Sequence, residues 1–253
     1  MARPSVVAVG DLFLDVSVHG APGHGARTSV RAGGSSANTA VWAAAVGARS
    51  SVIGRVGYDL AGGAVRAAIE GQGVHVLVST DFERPTGTFV LAGGDRFVDR
   101  GANAGLTPAE LPDTIEADAV VLSPYLDDAT ATAAVDRSRA RWIASVGRPL
   151  RGANAVVLNE VESDEGVHLL AERFRLACVT LGALGAIAVL DGHEASVALP
   201  PVEALDPTGA GDAFAAALLV ALCGEASLEE ALAEAARCGA LAAASPTGWP
   251  VVK

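Results

Sequence analysis

The sequence predicts an α/β fold in which helices cover a mostly parallel central sheet, with a small second β-sheet outside those layers. Three features carry this expectation. Short β-branched apolar runs alternate with helix-length segments along much of the chain. Gly-rich turns follow several of these runs, at the carboxyl ends where a parallel sheet opens its ligand crevice. Two stretches, 13–18 and 86–99, alternate as strands with one wet face do, which suits a sheet lying apart from a buried one.

Residues 5–9 are a buried parallel strand ending at Gly10. Asp11 and Asp15 follow, each placed to accept hydrogen bonds from a polyol, although Asp11 reads equally as a turn residue. The stretch 19–27 is a loop, with Gly20, Pro22, Gly23 and Gly25. Arg31-Ala-Gly-Gly-Ser-Ser-Ala-Asn38 opens a helix running to about Val46, with Gly47 as its stop. Ser35 or Ser36 is the expected cap; Asn38 either caps or bonds a ligand hydroxyl across Gly33 and Gly34. Residues 51–56 are a strand, Asp59 caps a helix ending near Gly71, and 74–78 is a further strand. Residues 86–99 form a hairpin about Gly93-Gly94 that joins 13–18 in a candidate lid, spanning about 12–32 and 84–101.

Beyond Asn103 the pattern becomes helix-loop-strand. Thr107-Pro-Ala-Glu110 has the form of a capping box, 127–140 reads as a helix, and 120–122, 142–146, 156–158 and 178–181 read as strands. Asp191-Gly192 joins 187–190 to 195–199 as a hairpin. Asn159 and Glu162 stand at a strand's carboxyl end, where they suit a hydrated Mg²⁺ or simply start a helix. Thr180-Leu-Gly-Ala-Leu-Gly185 is a Gly-rich strand exit, open to a nucleotide or explained as a plain turn.

Asp206-Pro-Thr-Gly-Ala-Gly-Asp212 ends an extended segment and starts a helix. The first free N–H groups and the macrodipole make an anion site there, with Asp212 beside it. An aspartate in a first helical turn also complements the dipole with no further role. The functional alternative is phosphoryl transfer, in which the turn takes developing charge while Asp212 orients or deprotonates an attacking hydroxyl. A carboxyl pKa near about 3.9, lowered further by the helix N-terminus, makes a weak base, so orientation is expected to dominate.

Composition narrows the function. At 253 residues, with 51% hydrophobic and 19% charged residues, the chain has ample material for a core, as one large α/β domain or two small ones. A net charge of −11 argues against nucleic acid or an anionic membrane as partner. The only lysine is Lys253, which removes Walker A, protein-kinase and Schiff-base mechanisms. Phosphates would have to be handled by backbone N–H groups, arginine and metal. Cys178, Cys223 and Cys238 show no metal or redox spacing and read as filler; the five histidines do not cluster. No apolar run has the length of a membrane span and the start has no signal-peptide segment, so a cytoplasmic location is expected.

Gly33-Gly34-x-x-x-Asn38, Asn159-x-x-Glu162, Thr180-Leu-Gly182-x-x-Gly185 and Asp206-Pro-Thr-Gly-Ala-Gly-Asp212 stand in the order seen in the ribokinase-like carbohydrate kinases of the phosphofructokinase B type. Val9-Gly-Asp11 and Gly101-Ala-Asn103-Ala-Gly extend the resemblance over nearly the whole chain. It implies a three-layer α/β sandwich with a β lid, a single domain over 1–253, and ATP-dependent phosphorylation of an alcohol. Asp212 would be the catalytic base and Gly209, Ala210 and Gly211 the anion hole. Asn159 and Glu162 would organise Mg²⁺ and the phosphates, and Thr180, Gly182 and Gly185 would face the nucleotide. Asp15, Gly33, Gly34, Asn38 and Asn103 would bind the sugar. The stretch 240–249 resembles the adenine-side and monovalent-cation region without a residue-by-residue match, and the lid is implied as a homodimer contact. Ser35 stands where ribokinases often carry lysine, which favours an unphosphorylated sugar unless Arg31, Arg55 or Arg100 substitutes. The intervals 125–159 and 162–180 are tighter than in relatives, on the nucleotide side. A nucleoside kinase and a non-catalytic sugar or nucleotide sensor are the other readings; the first needs aromatic stacking, with Phe13, Phe89 and Phe97 as candidates, and retained Asp212 and Glu162 argue against the second. A dinucleotide dehydrogenase is disfavoured, because Gly209-x-Gly211-x-x-Phe214 has no third glycine.

Overall fold

A computed structural model describes residues 2–21, 23–199, 202, 205–245 and 247–250. The strands are β1 (Ser5–Val9), β2 (Phe13–His19), β3 (Arg27–Gly33), β4 (Arg49–Gly57), β5 (His75–Asp81), β6 (Thr88–Ala92), β7 (Asp95–Asp99), β8 (Ile115–Glu116), β9 (Ala119–Leu122), β10 (Ser138–Arg139), β11 (Trp142–Val146), β12 (Ala155–Asn159), β13 (Leu176–Thr180), β14 (Ala186–Leu190) and β15 (His193–Val197). The helices are α1 (Ser35–Ala45), α2 (Leu60–Glu70), α3 (Asp128–Arg137), α4 (Val167–Ala171), α5 (Ala210–Cys223) and α6 (Leu228–Ala244). Among the described residues, no helix is long and apolar enough to cross a membrane.

Nine strands form one sheet in the order β15-β14-β13-β12-β11-β9-β1-β4-β5. Every pairing from β13 to β5 is parallel, and the two pairings of the edge hairpin are antiparallel. The strands are buried on both faces, as their continuous apolar runs require. Val6, Val121, Ala144, Val157 and Cys178 pack against α1, α5 and α6 on one face; Val7, Val9, Val120, Leu122 and Val156 pack against α3 and α4 on the other. The result is the three-layer α/β sandwich that the sequence predicts. A separate mixed sheet in the order β3-β2-β6-β7 rises from the carboxyl end of β1, with β2 paired to β3 antiparallel and to β6 parallel.

Several local expectations are corrected. The 127–140 helix ends at Arg137, because Ser138 adopts an extended conformation and pairs with β8. The Thr107 capping box forms but opens only a 3₁₀ turn over Pro108–Glu110: Leu111, before Pro112, is held extended. No helix starts at Asn159 and Glu162. Their side chains close a turn reciprocally, Glu162 Oε2 accepting from Asn159 N at 2.8 Å and Asn159 Oδ1 accepting from Val161 N and Glu162 N at 2.9 Å. Gly34, not a serine, stands at the cap position of α1, with no side-chain cap.

Candidate active site

The carboxyl ends of the parallel strands, the N-termini of α1 and α5 and one face of the small sheet enclose an open cavity of about 380 Å³. That volume is within the usual range for small-molecule sites. Its floor is the turn into α5. Gly209 is left-handed there, with φ +83°, and a Cβ on it would come within 2.9 Å of Asn38 Nδ2, so glycine is required twice over. Asp206 Oδ1 accepts from Thr208 N at 2.9 Å and shapes the turn. The N–H of Ala210 donates to Pro207 O at 3.1 Å, which removes one of the three amides expected in the anion hole. The N–H groups of Gly209, Gly211 and Asp212 have no partner among the described residues. Gly209, Gly211 and Asp212 all line the cavity, so those amides can meet an anion.

Asp212 is held from both sides. Ser35 Oγ donates to its Oδ1 at 2.7 Å and Asn38 Nδ2 to its Oδ2 at 3.0 Å. Trp249 Nε1 in turn donates to Asn38 Oδ1 at 2.8 Å, which fixes the amide's orientation. Ser35 and Asn38 therefore do not cap α1; they bond the Asp212 carboxylate, and both also line the cavity. Burial pushes Asp212 up to about 6, with the bonds from Asn38 and Ser35 opposing and the charge of Glu162 adding. The lowered carboxyl expected from the helix dipole is thus corrected, because desolvation under the cavity walls outweighs it.

At the small-sheet end, Asp15 lies over Gly33, whose missing Cβ makes room for its carboxylate. Arg31 Nε is 3.4 Å from Asp15 Oδ2, and Arg31 Nη2 donates to Asp206 Oδ2 at 3.2 Å, joining the two ends of the site. Burial raises Asp15 to about 6 against the pull of Arg31. Asp15, Gly34, Asn38, Phe13, Phe89 and Val98 line the cavity; Gly33 does not, and acts from beneath Asp15. Asn103 is removed from the binding set. Its amide clamps the Leu12 backbone, accepting from Leu12 N at 2.9 Å and donating to Leu12 O at 2.8 Å, and it does not reach the cavity.

At the opposite end Asn159, Glu162 and Thr180 line the cavity. Gly182 and Gly185 do not: Gly182 is exposed, and Gly185 is glycine because a Cβ would collide with Val197 O across the edge hairpin. Sequence reasoning missed the roles of Ser35 and Trp249 toward Asp212, and of Arg31 toward Asp15 and Asp206. It also missed Arg100, which donates to Asp11 Oδ1 at 3.0 Å and to Tyr125 O at 2.8 Å at the cavity wall.

Compared with known protein families, residues 3–144 and 149–248 match the pfkB family carbohydrate kinase. The chain is 33% identical over 260 residues to a fructokinase of Klebsiella pneumoniae, covering 83% of this chain and 85% of that one. It is 31% identical over 238 residues to a ribokinase of Bacillus subtilis, covering 84% and 81%. Its fold superimposes on that of an E. coli protein in complex with ATP and Mg²⁺ with a TM-score of 0.82 at 18% identity, over 97% of this chain and 94% of that one. A family match along nearly the whole length, on this fold and around this cavity, places the chain in the pfkB family of carbohydrate kinases.

Proposed function

We propose that this protein transfers the terminal phosphoryl group of ATP to a hydroxyl of a small sugar, with Asp212 as base and the amides at the start of α5 as anion hole. The observation that carries this reading is one juxtaposition: a carboxylate fixed by Ser35 and Asn38 beside amides without protein partners. Phosphoryl transfer asks little covalent chemistry of the protein and much positioning. The acceptor hydroxyl donates to Asp212, which takes its proton late as the new P–O bond forms. Preorganised N–H groups stabilise charge on the travelling group. With its carboxyl raised to about 6, Asp212 is still mostly ionised near neutrality and is a better base than an ordinary aspartate.

Asn159, Glu162 and Thr180 support an ATP subsite at the far end of the cavity. The donor set fits Mg²⁺: Glu162 Oε2 is committed to Asn159 N, while Oε1 has no partner among the described residues, and Mg²⁺ keeps several waters while taking one or two carboxylates. Bound there, the ion would neutralise phosphate charge. Phe13 and Phe89 on the cavity wall favour one second reading, a nucleoside acceptor stacked on the rings. Exposed Val30 and Phe97 on the small sheet support its role as a lid and a homodimer contact.

The test is ATP consumption over a panel of sugars and nucleosides, with Asp212→Asn as the blank. Turnover of a sugar that falls at least about a hundredfold in the variant is expected; near-native turnover in Asp212→Asn would falsify the assignment.

A further inference from the structure

We propose that Arg31 is a built-in cation for the anion-binding turn: its guanidinium neutralises Asp206 behind that turn, where a bound monovalent cation would otherwise be needed, so that this protein works without one. The proposal rests on the kinase reading for what the turn holds and adds how its charge is balanced.

Asp206 both builds the turn and burdens it. Its Oδ1 accepts from Thr208 N at 2.9 Å and shapes the chain just before Gly209. Burial disfavours the charged carboxyl, but the bonds from Thr208 and the charge of Arg31 prevail and hold it below its ordinary value, so the group is ionised. A fixed negative charge this close to Gly209 opposes an anion at the amides of Gly209, Gly211 and Asp212, in surroundings where like charges are poorly screened. A cation has to offset it.

Arg31 does so from β3. Its Nη2 donates to Asp206 Oδ2 at 3.2 Å, and both side chains are largely buried, at 18% and 26% exposure. A Cβ built on Gly248 would meet Thr208 O at 3.3 Å and Arg31 Nη1 at 3.5 Å, which puts the guanidinium in the seam between the turn and the 247–250 loop. Asp206 Oδ2 and Thr208 O, which border that seam, are oxygen donors of the kind hard cations take. The stretch 240–249 resembles the monovalent-cation region of ribokinase-like kinases, yet a free ion does not fit here, because an arginine already stands on the carboxylate. Neither Arg31 nor Asp206 lines the cavity, so Arg31 is a positioning residue that acts through the turn. Its Nε also lies 3.4 Å from Asp15 Oδ2, and a test has to separate that contact from the one to Asp206.

The experiment measures kcat, KM for ATP and melting temperature for the native protein, Arg31→Ala and Arg31→Ala/Asp206→Asn, in potassium, ammonium, sodium and tetramethylammonium chloride at one ionic strength. Tetramethylammonium is too large to enter the seam. The native protein should behave alike in all four salts. Arg31→Ala in tetramethylammonium should lose about tenfold or more in kcat. Potassium or ammonium should restore most of that loss and raise the melting temperature, as a ligand of the folded state does. The double variant should exceed Arg31→Ala in tetramethylammonium and gain nothing from potassium, since the charge to be neutralised is gone; a loss caused by unpairing Asp15 would persist in it. A native protein activated or stabilised by potassium relative to tetramethylammonium overturns the proposal, as does an Arg31→Ala deficit that is the same in all four salts. Where Arg31→Ala alone does not fold, recovery of a folded protein by potassium or by adding Asp206→Asn supports the proposal, and failure of both overturns it. If the native protein consumes no ATP with any acceptor, the kinase reading fails alone, and the melting temperatures still decide whether Arg31 stands in for a cation.

Discussion

At Asp212 two effects of opposite sign meet. The N-terminus of α5 favours the carboxylate by about 0.3–1 kcal/mol in ordinary exposed settings. Burial works against it and prevails, leaving the group near 6. Asp15 is raised to about 6 for the same first reason. Because both carboxylates line the cavity, kcat/KM is expected to fall as pH drops through about 6, more steeply than one protonation allows, and Asp212→Asn should remove most turnover and leave only the single-proton dependence of Asp15 in what remains. Stability should run the other way. The folded-state pKa of Asp212 lies above its ordinary value of 3.8, so the folded protein takes up a proton that the unfolded chain does not between about 4 and 6. Ionised Asp212 therefore costs stability in full above pH 6, and that cost is relieved progressively as pH falls from about 6 to about 4. Asp212→Asn is expected to melt at or above the native temperature at pH 8, with the difference closing toward pH 4, as differential scanning calorimetry would record. Such a trade is common where a strained or desolvated group serves activity.

At the scale of elements, the site is a meeting of two helix N-termini and a C-terminal loop. Gly209 gives α5 its left-handed entry against Asn38, and an alanine there adds strain of about 1–2 kcal/mol while displacing the amide that aims Asp212. Gly209→Ala is expected to lower kcat by about tenfold or more and the melting temperature by about 2–4 °C per kcal/mol, read by steady-state kinetics and a thermal scan. The loop at 247–250 is tied to α1 twice, through Trp42 Nε1 to Gly248 O at 2.9 Å and Trp249 Nε1 to Asn38 Oδ1 at 2.8 Å. Trp249→Phe keeps the packing and removes one donor. The expected outcome is a several-fold loss of kcat with ATP affinity nearly unchanged, because only the orientation of Asn38 is released.

Over the whole molecule, the chain passes from the large sheet to the small one at Leu12, which is fully buried between β1 and β2. Asn103 satisfies both backbone groups of Leu12 at that crossing. Its replacement by alanine strands a buried N–H and C=O, at about 1–3 kcal/mol each. Asn103→Ala should therefore lower the midpoint of urea unfolding and raise KM for the acceptor, with little change in KM for ATP. If the small sheet is the dimer contact, Phe97→Asp is expected to give a monomer by light scattering; a native monomer at working concentration would refute the contact.

What the sequence by itself determined is the local chemistry. Apolar runs bounded by glycine specify parallel strands, and Asp206-Pro-Thr-Gly-Ala-Gly-Asp212 specifies a turn into a helix with exposed amides, because backbone sterics and periodicity act over a few residues. Asp15, Asp212, Asn159 and Glu162 were legible as strand-end or helix-start groups for that reason. Only the tertiary structure decided what each polar group faces. Ser35 and Asn38 reach Asp212 across 177 and 174 residues, and Trp249 reaches Asn38 across 211. No local pattern records such pairings, nor the desolvation that follows from them, since both depend on how distant segments share one enclosed volume.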